Sequence, residues 1–441
     1  MTNTQRPPRV SRRYFIQSSA AVAAVPLIGK RLLEPTPIET LKVANVGVGG
    51  MGGGDLNNVS KGKNVRIVAL CDVDSNRLGA ASKKHPKAET FDDFRKLFDK
   101  MHKDIDAVVV STPDHMHGPI AIAALSLGKH VYCQKPIAHN LYECRRMADL
   151  ARENKLVTQM GTQIHSHAAY RTFVATVKTG LLGEISDAYC WVGKSWAGPA
   201  SGRPKKTDPV PANLDWDLWL GVAPQRPYVN RIYHPARWRG WLDFGSGTLG
   251  DMGCHIFDPV FSALDIGAPN KVVSRGPKHH AETFAPNSDI LYEFPGSALT
   301  TKTLRLMWTD GKNSRPKAAR EHVPGGKLPG SGSLIVGENG VMAIPHWSMP
   351  KFYKDGVEEK VELSKLPSIS HYHEWTDACR GEGKASTPFS YSGPLTEAVL
   401  LGTVAGRFPN EEFSWDIEKM SFGNKKADAL VKRSYRKGWE L

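Results

Sequence analysis

Four groups of residues in this sequence have types and spacings that can do chemistry. Gly47-Val48-Gly49-Gly50-Met51-Gly52 is a GxGxxG turn between an apolar run, Leu41 to Val48, and a helix-like stretch ending at Val59. Glycines in that setting permit a tight turn and let the backbone approach a pyrophosphate, while the helix N-terminus offers free N–H groups. Asp72 ends the next apolar run, Val65 to Cys71, 20 residues beyond Gly52. A carboxylate there accepts hydrogen bonds from ribose hydroxyls and repels a 2′-phosphate. Val73 and Asp74 follow it, not the Arg or Ser that suits NADP, so the pattern favours NAD. The same aspartate could instead cap a helix starting near Ser75.

The third group lies at two strand ends. Ser111-Thr112-Pro113-Asp114-His115-Met116-His117 follows one apolar run and Gln134-Lys135-Pro136 follows the next. In an open parallel sheet, ligands bind beyond the carboxyl ends of the strands. Ser111, Pro113, His117 and Gln134 are therefore candidate cofactor contacts beside Gly47, Gly49, Gly50, Met51, Gly52 and Asp72. Lys135 is an ammonium at the same edge, although a lysine before a proline is more often a surface residue. The fourth group is GSGTLGDMGCHIFD, residues 245–258. Asp251 and His255 are four apart and share a face on a helix. Such a carboxylate can orient an imidazole, hold its tautomer and stabilise its cation; taken alone, the pair is more often a surface helix contact.

The elements that must position these residues alternate. Strands are predicted at Leu41–Val48, Val65–Cys71, Ala107–Val110, His130–Cys133 and Leu156–Met160. Helices are predicted between them, near Asp92–Lys100, at Pro119–Leu127 stopped by Gly128, and from an Asn140–Glu143 capping box to Asn154. Strand–helix alternation implies a doubly wound parallel sheet, a Rossmann domain over residues 41–160. From 161 to 441 the pattern changes to α/β with a large, mainly antiparallel open sheet. It has a helix at Ala168–Thr179, strands at Glu184–Val192, Ser288–Phe294 and Leu299–Met307, a hairpin over Ser333–Ile344, and helices at Tyr372–Arg380 and Leu395–Arg407.

The glycine turn, Gln134-Lys135-Pro136 and the 245–258 segment together resemble the Gfo/Idh/MocA oxidoreductases, whose members include glucose–fructose oxidoreductase, inositol dehydrogenase and NAD-dependent glycosidases. The resemblance covers nearly all of residues 41–441. It implies a nicotinamide cofactor, a catalytic role for Lys135 beside the nicotinamide, and an Asp251–His255 pair facing the reacting hydroxyl of a sugar or cyclitol, with oligomers built through the second sheet. The family motif is usually Glu-Lys-Pro. Gln134 departs from it, and the loss of a negative partner predicts an ammonium that deprotonates more readily. A redox-neutral glycosidase is the alternative outcome; it needs one more base, for which His165, His167 and Tyr233 are candidates.

Residues 196–247 are long, irregular and hold five tryptophans: 196, 216, 219, 238 and 241. Loops of that length in a compact domain are commonly functional. Tyr233, His234, Arg237 and Trp238 are candidate pocket residues; Trp216 and Trp219 more often dock such a loop in the core. Arg237 and Arg239 could bind hydroxyls or carboxylates. His165 and His167 alternate on an extended segment, which suits a pocket wall better than a metal, since no third ligand is evident. Lys and Arg give a formal charge of +14, of which residues 1–40, with six Lys or Arg and two Glu, hold +4 and the remainder +10. That surplus could attract an acidic substrate; the cations are scattered, and no nucleic-acid motif accompanies them. The six cysteines form no CxxC pair and are expected as buried thiols. Ser11-Arg12-Arg13-Tyr14-Phe15, followed by the apolar run Ala20–Ile28, resembles a twin-arginine export signal, with residues 1–40 as signal and linker. It predicts passage through the Tat translocase and a periplasmic or extracytoplasmic location. Since such substrates cross folded, the chain is expected to carry a tightly held nicotinamide with it.

Overall fold

The structure, a computed structural model, describes residues 38–312 and 314–440. The predicted export signal lies outside the described residues. Continuous apolar runs make the first sheet. Ala107–Val110 is Ala-Val-Val-Val with every residue buried, the pattern of a strand covered on both faces. Strands β1 (Leu41–Val46), β2 (Val65–Cys71), β3 (Glu89–Phe91), β4 (Ala107–Val110), β5 (His130–Cys133) and β6 (Thr158–Met160) lie in the order β3-β2-β1-β4-β5-β6. Every pair is parallel. The order reverses between β1 and β4, so the chain ends leaving those strands diverge and open a crevice, the place where this fold binds its ligands.

Helices α1 (Met51–Val59), α2 (Ser75–Lys84), α3 (Phe94–Met101), α4 (His117–Ser126) and α5 (Leu141–Glu153) cover that sheet. Three glycines make α1 a weak helix by propensity; it is held by the face Gly52, Asp55, Leu56 and Val59, which is buried. Asp74, not Asp72, caps α2, accepting from the N–H groups of Asn76 and Arg77. Asn140 caps α5 through the N–H of Glu143.

The second sheet has nine strands. They are β7 (Ile185–Val192), β8 (Lys271–Ser274), β9 (Asp289–Pro295), β10 (Thr300–Asp310), β11 (Ser331–Gly337), β12 (Gly340–Pro345), β13 (Lys351–Lys354), β14 (Val357–Glu359) and β15 (Glu412–Ser414), in the order β14-β13-β12-β11-β7-β10-β9-β8-β15. Only β7 and β10 pair in parallel; the other hydrogen-bonded pairs are antiparallel. The α/β class with a parallel and a mainly antiparallel sheet is as the sequence implies.

One apolar core runs from β1, β4 and β5 through the helix Phe389–Ala405 to the inner face of the second sheet, where Phe257, Phe261, Tyr292 and Trp308 are buried. Removing a side chain such as Phe261 from water is worth about 2–3 kcal/mol. Residues 38–441 form one compact unit. Arg145 of α5 donates to the Glu397 carboxylate of the long helix at 3.0 and 3.2 Å, and the N–H of Phe389 donates to Thr158 of β6. Strand ends of the first sheet therefore face segments of the second with little freedom to drift. All six cysteines are buried free thiols, and no described helix is long and apolar enough to cross a membrane.

Candidate active site

A cleft of about 510 Å³ opens where β1, β2, β4 and β5 end, and residues from both halves of the chain line it. The glycine turn forms one end. Gly47 has φ +83°, and a Cβ on it would sit 2.6 Å from the Ser111 carbonyl oxygen. A Cβ on Gly52 would lie 2.1 Å from the Gly47 oxygen. Both glycines are needed to close the turn against β4. Gly49 and Gly50 line the cleft with Gly47. Gly50, at φ +56°, has no heavy atom within 4 Å of where its Cβ would stand, whereas a Cβ on Gly49 would meet the Arg77 side chain. The free N–H groups at the start of α1, with no acidic residue in the first turn, lie beside that bare backbone. This Cβ-free cradle fits a dinucleotide pyrophosphate.

Asp72 lies in the same cleft. Its two oxygens accept the N–H of Val48 at 2.9 Å and of Asp74 at 3.0 Å, so it pins the glycine turn to β2. Burial raises its carboxyl above the usual range, and the two backbone donors pull against that. Arg77 adds a cation at this end, 3.4 Å from Asp74, a feature the sequence reading did not include.

Ser111, Pro113, His117 and Gln134 also line the cleft. His117 clamps two loops together, with Nδ1 2.7 Å from the Pro136 oxygen and Nε2 2.8 Å from the Thr112 oxygen; both ring nitrogens are thus engaged by the protein. Gln134 explains the departure from Glu-Lys-Pro. Its Nε2 donates to both oxygens of Asp55, at 2.9 and 3.1 Å. Asp55 also accepts from Ser111 at 2.7 Å and Tyr372 at 3.0 Å. The carboxylate that Gln134 lacks is supplied near Lys135 by Asp55 of α1. Burial raises the Asp55 carboxyl, while Ser111, Gln134, Tyr372 and Lys135 oppose the shift.

At the far end stand Lys135, Asp251 and His255. Their pairing differs from the sequence expectation. Lys135 Nζ donates to the Asp251 carboxylate at 2.9 Å and to its carbonyl at 2.8 Å. Lys194 Nζ and Trp196 Nε1 each donate to Asp251 Oδ2 at 2.6 Å, and Arg239 Nε donates to Oδ1 at 3.1 Å. Burial works against this charge, but Lys135, Arg239 and Lys194 outweigh it and hold the carboxyl well below the usual carboxylate range. No hydrogen bond joins Asp251 to His255, and His255 Nδ1 is buried without a partner. Asp251 sits in a π-helical turn, Leu249–Gly253, and its oxygens are taken by Lys135, Lys194, Arg239 and Trp196. Burial first, then the Lys135 charge, holds the His255 imidazole well below its ordinary pKa. It is a neutral ring able to take a proton.

The remaining candidates separate. Trp238 lines the cleft, with the Arg239 guanidinium 4.2 Å over its ring. Tyr233 does not line it; the ring is buried among Trp216, Trp241 and Phe244, because a large ring on this segment gains more from the aromatic core than from the wall. Arg237 is exposed and outside the cleft lining. His165 is also outside it, its Nδ1 held by Asp258 at 2.9 and 3.0 Å, and His167 accepts from the Ala169 N–H and packs on Trp347. Trp216 and Trp219 stack at 4.8 Å in the core, and Trp219 also reaches the cleft. Lys194, Asp114 and Asp55 were missed. Lys194 follows a strand with no motif around it, so only the pairing of β7 with its neighbours brings it to Asp251. Among the described residues no group of three or more His, Cys, Asp or Glu is arranged to hold a metal ion.

Comparison with known proteins agrees with this architecture. A model described as "Oxidoreductase family, NAD-binding Rossmann fold" matches residues 41–162, and one described as "Oxidoreductase family, C-terminal alpha/beta domain" matches 174–328. Together they span more than half of the chain. An inositol 2-dehydrogenase of Salmonella typhimurium is 29% identical over 148 residues, 33% of this chain and 44% of that protein. A glycosyl hydrolase family 109 protein of Shewanella pealeana is 27% identical over 203 residues, 40% of this chain and 44% of that protein. The match therefore spans less than half the length of these curated relatives. Among solved structures, the WlbA dehydrogenase of Chromobactrium violaceum, in complex with NADH and UDP-GlcNAcA, superposes with a TM-score of 0.62 at 16% identity, over 88% of this chain and 99% of that one. An aldose-aldose oxidoreductase of Caulobacter crescentus gives 0.57 at 16% identity, over 85% and 99%. Identities this low speak to the fold alone.

Proposed function

Because the chain belongs to the Gfo/Idh/MocA oxidoreductase family, we propose that it oxidises or reduces a secondary hydroxyl carbon of a sugar or cyclitol with a tightly held nicotinamide dinucleotide. The observation that carries this reading is that the glycine cradle, Lys135 and His255 line one cleft. Gly49, Gly50 and the start of α1 would hold the pyrophosphate, and Asp72 the adenosine ribose, with NAD preferred over NADP. When bound, the nicotinamide supplies the hydride acceptor or donor.

The chain's own residues handle the proton. His255, a neutral ring lining the cleft, takes the hydroxyl proton. The Lys135 ammonium, fixed by two bonds to Asp251, donates toward the oxygen as it gains negative charge. Asp251 positions the lysine rather than the histidine. His117 and the Gln134–Asp55 pair hold the Lys135 loop against β4. Inositol 2-dehydrogenases among the relatives support a polyhydroxylated substrate.

The family 109 relatives favour a second reading, a glycosidase working by transient oxidation and elimination. It needs an additional base, and His165, His167 and Tyr233 all lie outside the cleft lining, which favours the simpler reaction. Twin arginines in the leader support export with the cofactor already loaded, and the family's use of its second sheet supports a homo-oligomer.

The test is to denature freshly purified protein and identify the released ligand by absorbance and mass, then to follow sugar-dependent absorbance at 340 nm. A released nicotinamide dinucleotide and sugar-dependent reduction are expected. A protein that retains and binds no nicotinamide would end the proposal. Aglycone release without net NADH would select the glycosidase.

A further inference from the structure

Asp251 is one carboxylate surrounded by three cations. Lys135 alone would neutralise it. Lys194 and Arg239 are two further charges on the cleft wall, and the structure gives them an open side. Nearly half of the Lys194 side chain (44%) is exposed; its Nζ donates to Asp251 and lies 4.7 Å over the Trp196 ring. Arg239 is held more firmly. Its guanidinium lies 5.3 Å over the Trp196 ring and 4.2 Å over Trp238, and Nε is fixed on Asp251. Nη1 reaches only the Ala236 carbonyl, at 3.5 Å, and no acceptor among the described residues takes Nη2. An arginine whose plane is clamped between two indoles while its fork stays open is preorganised for a planar or tetrahedral anion. The other acid at this end, Asp114, is buried and accepts the Ser246 N–H; it shares the charge of Arg239 and Lys135, and the three cations still outnumber the two carboxylates.

We propose that Lys194 and Arg239 form an anion subsite beside Lys135 and His255, and that the substrate is a sugar bearing an anionic substituent, a carboxylate or a phosphate ester. This rests on the oxidoreductase reading, since it names the substrate class of the same site. The anion lies across the fork of Arg239 with Lys194 beside it, which fixes the ring by one end and leaves a secondary hydroxyl to reach His255. The formal charge of +10 on the chain beyond residue 40 favours the approach of such a ligand.

The test uses purified protein saturated with NAD, titrated by calorimetry with a hexuronate, the corresponding hexose 6-phosphate and the neutral hexose. At low salt, one of the anionic sugars is expected to bind ~10–100-fold more tightly than the neutral one, the range of a charge-assisted bond. That preference should shrink with added salt and collapse toward unity in Lys194→Gln and Arg239→Gln. Whether the uronate or the phosphate is preferred identifies the anion. Neutral sugar binding as tightly as both anions overturns the subsite, and so does a preference that survives both substitutions. The 340 nm absorbance of the same samples separates the two proposals. If a neutral polyol reduces the cofactor and anions gain nothing, only the subsite falls. If anions bind selectively and no sugar changes the absorbance, the subsite stands and the oxidoreductase reading falls.

Discussion

Replacing Gln134 by Glu restores the commoner Glu-Lys-Pro motif, and in this chain it should do harm that depends on pH. The Gln134 amide nitrogen lies 2.9 and 3.1 Å from the Asp55 oxygens, and both residues are buried, at 5% and 0% exposure. Glu at 134 would put carboxylate oxygen where an N–H donor now sits. Two unit charges about 3 Å apart, at an effective dielectric constant of about 20, repel by about 5 kcal/mol, equivalent to ~4 pKa units. The pair would then hold one proton between them and titrate as a unit. Burial already pushes Asp55 upward, which adds to the effect, while Lys135 subtracts from it.

The sign follows. The pair's folded pKa is raised above its unfolded value of about 4, so the variant is near its full stability below about pH 4 and loses stability as pH rises through the folded value. Urea unfolding of wild type and Gln134→Glu, compared at about pH 5 and about pH 8, should show a stability gap that widens by several kcal/mol at the higher pH. Adding Asp55→Asn should close most of that widening. A gap independent of pH would refute the reasoning, as would an Asp55→Asn change that leaves the pH dependence intact.

Other predictions concern the cleft. His255 is held neutral, so the acid limb of kcat/KM should have its midpoint below the ordinary 6.5; a midpoint at or above 6.5 would assign the limb to another group. Gly47→Ala forces a Cβ to within 2.6 Å of the Ser111 oxygen at φ +83°, and should abolish retention of the dinucleotide, measured on the protein as isolated; normal retention would show that the turn is not the cradle. Lys135→Met should lower kcat by at least ~100-fold, a typical loss for a charge-stabilising group, while NAD binding by fluorescence persists. Asp72→Ser removes the carboxylate that repels a 2′-phosphate and leaves Arg77 to meet it, so affinity for NADP should rise relative to NAD; an unchanged ratio would separate Asp72 from cofactor choice.

The first sheet was legible because burial on both faces leaves a continuous apolar mark. Ala107–Val110 and His130–Cys133 are strands with the predicted bounds. Strand β13 and the edge strands β14 and β15 were not seen, since three or four residues carry too little pattern. The helix predicted from Leu395 begins at Phe389, because Pro394 reads as a stop although tertiary packing carries the helix through it. In residues 196–247 the sequence could not sort core from wall. Tyr233 and Trp238 are large aromatics five residues apart in one buried cluster, yet of the two Trp238 alone also lines the cleft. Composition is the same in either role, and only the path of the loop decides. Lys194 was invisible for a related reason, since its partner is 57 positions away.

The pairing at Asp251 shows why a spacing rule gave the wrong partner for the right residues. Four residues apart on a regular helix, an exposed ion pair is worth about 0.3–0.5 kcal/mol. The buried contact of Lys135 with Asp251 at 2.9 Å has an attraction of about 6 kcal/mol at an effective dielectric constant of about 20, before desolvation is subtracted. With Lys194 and Arg239 on the same group, the balance favours turning the carboxylate to the cations. Chemistry follows from that choice. A carboxylate on His255 would raise the imidazole's pKa and reduce the share of rings that are unprotonated, and so free to take the hydroxyl proton, at a given pH. Turned to Lys135, it fixes the ammonium that must meet a developing alkoxide and leaves His255 uncharged. One carboxylate thus sets the roles of both groups, and Asp251→Asn should cost more catalysis than its distance from any proton transfer suggests.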